Sequence, residues 1–385
     1  MCDYREGELI FAHAAEDPSG DQLVERIHAG GIEHVEPIDN LQSRLEHSGV
    51  KADLSLRVYL LRVPEGQEVW KINALHRDYL SFAMKSHGPV RIPAIVPNSY
   101  LTLEGFNPSA DYAAYKSMLG SMHGATGKGV TVAVIDSGIE PGSALPSKIT
   151  DLLTTPNGSG ADQVGHGTAV ASVIHDVAPD ASVEIIKIAD TKRLVEWDGL
   201  AGLMTAASAD VINLSMSFGS GTQVCKQCGR QSISSRSIVF EAMVGLILQK
   251  PHEPIIVAAA GNYAKAELRY PARFGDVVAV GAVDASGNRA AYSNCGAVDA
   301  AGQPHRNLFF APGGESTRPV GTTTAPLPVV GQDGTSFATA YASAVVACAR
   351  ETRPRAQVLT DLRAAATQLP NHNAAYDGNG LMQGC

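Results

Sequence analysis

Four polar residues, far apart in the chain, are of the types that acyl-transfer chemistry needs. Asp136 closes the apolar run Val130–Ile135, and His166 stands between Gly165 and Gly167. Asn262 follows Ile255–Gly261, and Ser336 follows Gly334-Thr335 just ahead of the small apolar run Phe337–Ala347. A hydroxyl nucleophile needs a base, a group to orient that base, and donors for the oxyanion that forms on attack. Singly, each residue has a plainer reading. Serine before an apolar helix is a good N-cap, and Asp or Asn after a strand is ordinary turn chemistry. As a set they supply every role, each at a strand end or a helix start, where open α/β sheets assemble their sites.

The segments around them are those that would hold such groups in place. VTVAVI before Asp136 is a continuous apolar run, as in a strand buried on both faces of a parallel sheet. Similar runs occur at Val183–Ile188, Ile255–Ala260 and Val277–Val283, Val211–Gly219 reads as a strand running into an extended polar segment, and Phe309–Gly313 leads back toward Ser336. Helices are expected at His166–Ile174, Leu200–Ala207, Ser234–Leu248, after Ser336, and at Thr360–Leu369, ahead of a glycine-rich tail from Tyr376 to Cys385. The first 118 residues read differently. Strands are expected at Leu9–Ala12, Leu54–Val63 and Val90–Val96, the last at an edge because of Pro93. Helices are expected at Asp21–Ala29, Ile38–Leu45 and Ile72–Ala83, and a short one follows at Asp111–Leu119. That alternation describes a small α/β or α+β domain over 1–118, ahead of a larger domain over 119–385.

Composition excludes several classes. With 30 Lys+Arg against 39 Asp+Glu the net charge is −9, and no basic stripe marks a nucleic-acid surface. No apolar run reaches membrane-spanning length, and the first residues lack the basic-then-apolar pattern of a secretory signal, so a cytoplasmic protein with reduced thiols is expected. Of six cysteines, Cys225 and Cys228 form a CxxC, but zinc needs two further ligands at suitable spacing, and none is evident. Gly124–Gly129 is not a phosphate loop, because its lysine precedes a glycine and the strand follows rather than leads. No cofactor or metal is assigned.

The order Asp136, His166, Ser336 excludes an α/β-hydrolase, which runs Ser…Asp…His around Gly-x-Ser-x-Gly. The blocks GKGVTVAVIDSGI, GHGTAVASVI, INLSMSFG, VAAAGN, YPARFGDVVAVGAVD, YSNCG, APGG and GTSFATA, in this order over residues 128–385, resemble the subtilisin-like serine peptidases, the subtilases. The resemblance implies a doubly wound, mostly parallel sheet with helices on both faces. It makes Ser336 the nucleophile, His166 the general base and then acid, Asp136 its orienting partner, and Asn262 an oxyanion donor with the Ser336 N–H. It assigns Ser215, Met216, Ser217, Phe218 and Gly219, with Ala259, Ala260 and Gly261, to substrate binding, and so implies an extended or unfolded polypeptide as substrate. Phe337 and Ala340 depart from the methionine and proline that many members carry, and the insertion with Cys225 and Cys228 follows the substrate-binding segment directly. Calcium sites are common in the family, yet no acidic cluster marks one here. By the same resemblance residues 1–118 are expected to be a prodomain or a retained regulator, and an ATPase or another regulatory protein is an expected kind of partner. The second reading is a catalytically idle subtilase fold used as a binding module.

Overall fold

The computed structural model describes residues 4–30, 35–47, 49–50, 55–86, 93–103, 112–141, 143, 145, 147–153, 160–191, 193–218, 236–314 and 334–384. Contacts divide the chain into two compact units. One comprises Met1–Tyr100 with Val195–Thr205 and Gly219–Leu246; the other comprises Leu101–Leu194, Ala206–Phe218 and Ile247–Cys385.

In chain order the elements begin with β1 (Tyr4–Ala14), α1 (Pro18–His28), β2 (Glu36–Asn40), α2 (Leu41–His47), β3 (Leu56–Arg62), α3 (Glu68–Ser86) and β4 (Ala94–Leu103). There follow α4 (Tyr112–Ser117), β5 (Thr131–Asp136), β6 (Ser147–Asp151), α5 (His166–Val177), β7 (Ser182–Lys187), β8 (Arg193–Val195) and α6 (Glu196–Thr205). The rest are β9 (Val211–Leu214), β10 (Met216–Phe218), α7 (Ile238–Leu248), β11 (Ile255–Ala259), β12 (Val278–Val283), β13 (Leu308–Pro312), α8 (Thr335–Arg350), α9 (Arg355–Ala365) and α10 (Ala374–Asp377).

In the first unit β4, β1, β3 and β2 lie side by side, each pair antiparallel. Leu9, Phe11, Tyr59 and Leu61 come from the sheet, and Leu23, Ile27, Leu75 and Tyr79 from α1 and α3; together they form one buried core. The helix expected at Ile38–Leu45 is instead a strand followed by a helix. Asn40 Oδ1 accepts from Gln42 N at 2.9 Å, so Asn40 caps a helix that starts at Leu41 and leaves Ile38 in β2. The strand expected at Val90–Val96 starts only after Pro93 and runs on to Leu103, with Pro97 opposite Leu9. Polar groups of this unit are buried in pairs. Asn98 donates to Glu8 Oε2 at 2.6 Å and its Oδ1 accepts from Trp197 N at 3.1 Å, capping α6. Glu196, fully buried at the start of that helix, accepts from Ser237 Oγ, and burial pushes its carboxyl up to about 8.

The second unit is built on seven strands in the order β13-β12-β11-β9-β5-β7-β6, with every registered pair parallel. Their apolar runs are buried along nearly their whole length, as two-sided cover requires. Helix α8 is buried from Thr335 through Ala349, and it packs on α5, β9, β11 and β12. Its alanines and serines present little side-chain volume, which allows the helix to lie close to the sheet and to α5. The closing helix begins at Arg355, straight after Pro354, rather than at Thr360, and it ends where Thr367 turns to pair with Leu381. The last residues of β4, Leu101–Leu103, belong to this second unit, where they pair antiparallel with Phe218–Met216 of β10. Among the described residues no helix is long and apolar enough to cross a membrane, and no cluster of three or more His, Cys, Asp or Glu could hold a metal ion.

Candidate active site

Strand β5 ends at Asp136 and α5 begins at His166, so a strand terminus meets a helix terminus. Their approach depends on Gly167. A Cβ there would lie 2.4 Å from Gly138 O and 3.2 Å from Asp136 Cβ, so a larger residue would push α5 away from β5. With glycine in place, His166 Nδ1 lies 2.9 Å from both carboxylate oxygens of Asp136, and both side chains are fully buried. A buried carboxylate on Nδ1 fixes the tautomer in which Nε2 is the free base. His166 Nε2 is buried and has no hydrogen-bond partner among the described residues.

The sequence reading passed over a second carboxylate that holds this pair. Asp162 Oδ1 accepts from Val164 N, Gly165 N and Ser137 Oγ at 2.9, 2.7 and 2.8 Å; Oδ2 accepts from Thr168 N and Thr168 Oγ1 at 2.9 and 2.7 Å. Ser137 Oγ also reaches Asp136 Oδ1 at 3.1 Å and accepts from Gly167 N at 3.0 Å. The backbone on both sides of His166 is thus tied to one buried acid. The signal was present as an acid four residues before the histidine, but only folding brings Ser137 and Thr168 to it.

Ser336 is the second residue of α8, where the first N–H groups of a helix lack intrahelical partners and the dipole is positive. Its Oγ donates to Ser215 O at 3.0 Å, while Ser215 Oγ lies 3.1 Å from Ser336 O and 2.8 Å from Asn213 Oδ1. Phe337, the next residue, sets its ring 5.8 Å from the His166 ring. Asn262 Oδ1 accepts from Thr335 N and Thr335 Oγ1 at 2.9 and 2.8 Å. Those two donors fix which end of the amide is oxygen. Its Nδ2 is buried and, among the described residues, has no hydrogen-bond partner. Thr335, not singled out from sequence, is what aims it.

Of the other predicted residues, Met216, Ser217 and Phe218 form β10, buried and paired with β4, and Ser215 precedes it. Ala259 ends β11, and Ala260 and Gly261 follow it toward Asn262. Gly219, Cys225 and Cys228 lie outside the described residues. Cys295 and Cys348 are free and buried. Chemically, the arrangement offers an oriented imidazole, a serine hydroxyl at a helix N-terminus and an unengaged amide donor. That is the equipment for nucleophilic attack on a carbonyl and capture of the resulting oxyanion.

The subtilase family model matches residues 127–382. The chain belongs to that family. It is 31% identical over 280 residues to the M-protease of Shouchella clausii (strain KSM-K16), covering 67% of this chain and 64% of that protein. Over 280 residues it is also 31% identical to subtilisin BL of Lederbergia lenta, covering 67% of this chain and 90% of the relative. Subtilisin E of Bacillus subtilis (strain 168) is 31% identical over 288 residues, with 67% and 65% covered. The chain thus spans slightly under two thirds of the M-protease and of subtilisin E. Among solved structures, the prenylagaramide maturation protease PagA superposes with a TM-score of 0.51 at 24% identity, over 70% of this chain and 92% of that one; this likeness concerns the fold.

Proposed function

We propose that the chain is a serine endopeptidase that cuts extended polypeptide through an acyl-enzyme on Ser336 and is controlled by its N-terminal third. The observation that carries this reading is a pair of buried groups, without hydrogen-bond partners among the described residues, held against the two neighbours of Ser336: His166 Nε2, whose ring packs on Phe337, and Asn262 Nδ2, aimed by Thr335. In this reading the Ser336 hydroxyl turns from Ser215 O to Nε2 and gives up its proton as Oγ attacks the substrate carbonyl. Free-enzyme geometry of this kind commonly tightens only when substrate binds. Asp136 keeps the imidazole oriented and stabilises its charged form; Asn262 Nδ2 and the Ser336 N–H take the oxyanion. His166 then protonates the leaving amine, and water, deprotonated by the same base, releases the acid and frees Ser336.

Control by the N-terminal third draws support from the pairing of Leu101–Leu103 with β10, since an extended segment already occupies the edge to which a substrate strand would add. A regulator able to draw that segment away, an ATPase among them, is the kind of partner this reading calls for, and co-purification from the native host tests it. We propose a cytoplasmic location on the strength of the free thiols of Cys295 and Cys348; cell fractionation checks it.

The rival reading, an idle fold that binds, rests on the same hydroxyl being bonded to Ser215 rather than His166. A fluorophosphonate probe decides between them. It is expected to label wild type and not Ser336→Ala. Wild type left unlabelled even after limited proteolytic removal of the first third would sink the peptidase reading. Mass spectrometry of active protein is expected to find either a cut between Asn98 and Gly129 that Ser336→Ala lacks, or an intact chain with a retained regulator.

A further inference from the structure

Arg269 is held in a way that the chemistry above does not use. Its N–H donates to Ala260 O at 3.0 Å and its Nε to Phe218 O at 2.9 Å, so it joins the end of β10 to the segment after β11. The side chain runs across Gly261, at φ +108, where a Cβ would come within 2.9 Å of Arg269 Cδ. The guanidinium carbon stands 4.1 Å from the Tyr263 ring centroid. Arg269 is 5% exposed, and its Nη2 is buried without a hydrogen-bond partner among the described residues. Glu267, two residues away, is engaged by Arg273 instead. A guanidinium stays charged at every working pH, and burying it without a counter-charge is costly.

Both segments that it joins lead to the nucleophile. Ser215, just before β10, takes the Ser336 hydroxyl, and Gly261 N lies 3.3 Å from Thr335 Oγ1. We propose that Arg269 recognises a carboxylate on the substrate residue that supplies the attacked carbonyl, so that the enzyme cuts after Glu or Asp. This rests on the peptidase reading of Ser336. A strand lying antiparallel to β10, as Leu101–Leu103 does, sets the residue one step beyond the partner of Met216 opposite Ser215, and therefore beside the nucleophile. The side chain of that residue falls between the two segments that Arg269 joins. A carboxylate there would take the free Nη2 in a charge-assisted bond and neutralise the buried charge. In this chain's own sequence, the residue after Leu103 is Glu104, which itself lies outside the described residues.

The test is digestion of a denatured, proteome-derived peptide mixture by the full chain, with cut sites mapped by mass spectrometry. It is paired with two fluorogenic peptides that differ only in Glu or Gln before the scissile bond. Cuts after Glu and Asp are expected, with kcat/KM for Glu exceeding that for Gln by about 30-fold or more, the effect of unpairing a buried charge. R269Q should bring that ratio close to one, R269K should keep part of it, and R269E should move cutting toward Lys and Arg; thermal unfolding reports whether each variant is folded. Any self-cleavage should fall after Glu104. Fluorophosphonate labelling of Ser336 together with cuts after apolar residues, and a Glu/Gln ratio near one in wild type and R269K alike, would overturn the assignment and leave the peptidase reading standing. Neither cutting nor labelling would overturn both.

Discussion

Replacing Asp162 by Asn tests whether one buried acid sets the histidine in place. Five donors converge on this carboxylate, which is 6% exposed, and an amide offers a single acceptor oxygen. In its best orientation the amide oxygen keeps Ser137 Oγ, Val164 N and Gly165 N. The NH2 group then faces Thr168 N, donor against donor, and that bond is lost, while the Thr168 hydroxyl must turn round to accept from the amide. Bonds to an ionised acceptor contribute about 1.5–3 kcal/mol and neutral ones about 0.5–1.5, so one bond lost and four weakened by about 1 kcal/mol each should cost about 5–7 kcal/mol. That is a large share of the stability of a typical domain. Catalysis should suffer as well, because Gly165 N and, through Ser137, Gly167 N hold the backbone on both sides of His166. A displacement of about 1 Å in such a group can cost about 100-fold in rate. Urea unfolding in a Ser336→Ala background, which removes self-digestion, gives the stability change, and kcat/KM on a peptide substrate gives the second. A shift under about 1 kcal/mol with unchanged kcat/KM would show that the convergence of donors on Asp162 does not position His166.

Three further outcomes follow from the same structure. Asn262→Leu should lower kcat by about 10²–10³ with little change in KM; the figure is that of subtilisin itself, a relative of this chain, and it is checked by steady-state kinetics. Glu196 should make the first unit less stable as pH rises. Its folded carboxyl titrates at about 8 against an ordinary 4.5, so across that window the folded state keeps a proton that the unfolded state has lost. Melting temperature should therefore decline between about pH 5 and pH 8 in the protein, and Glu196→Gln should flatten the decline; identical slopes would refute the burial assigned to it. Cys348, whose thiol burial pushes up to about 12, should resist iodoacetamide at pH 8 in the native state and react once unfolded, as intact mass reports.

Much of the architecture could be read directly from the chain. The continuous apolar runs ending at Asp136, Ala259 and Val283 are strands of one parallel sheet, because only strands covered on both faces remain apolar at every position. Errors gathered where local and tertiary signals compete. Ile38 read as helical, but the cap at Asn40 starts the helix later; the last helix was displaced because Thr367 spends its backbone on Leu381. Strands β6 and β8 were missed: Ser147–Asp151 is short and mostly polar and Arg193–Val195 is only three residues long, and both are extended where partners pair with them.

By itself, then, the sequence determined the family and the residue types of the site, since glycine-flanked His166, Ser336 at a helix start and Asn262 after a strand are legible as local patterns. Tertiary structure alone decided which donors and acceptors are already engaged. It sets Asp136 on Nδ1 of His166, turns the amide of Asn262 through Thr335, gathers five donors on Asp162, and leaves Nη2 of Arg269 buried and without a hydrogen-bond partner among the described residues. Hydrogen bonding acts over about 3 Å, whereas these partners stand up to 73 residues apart in the chain, and only the packed fold converts the one separation into the other.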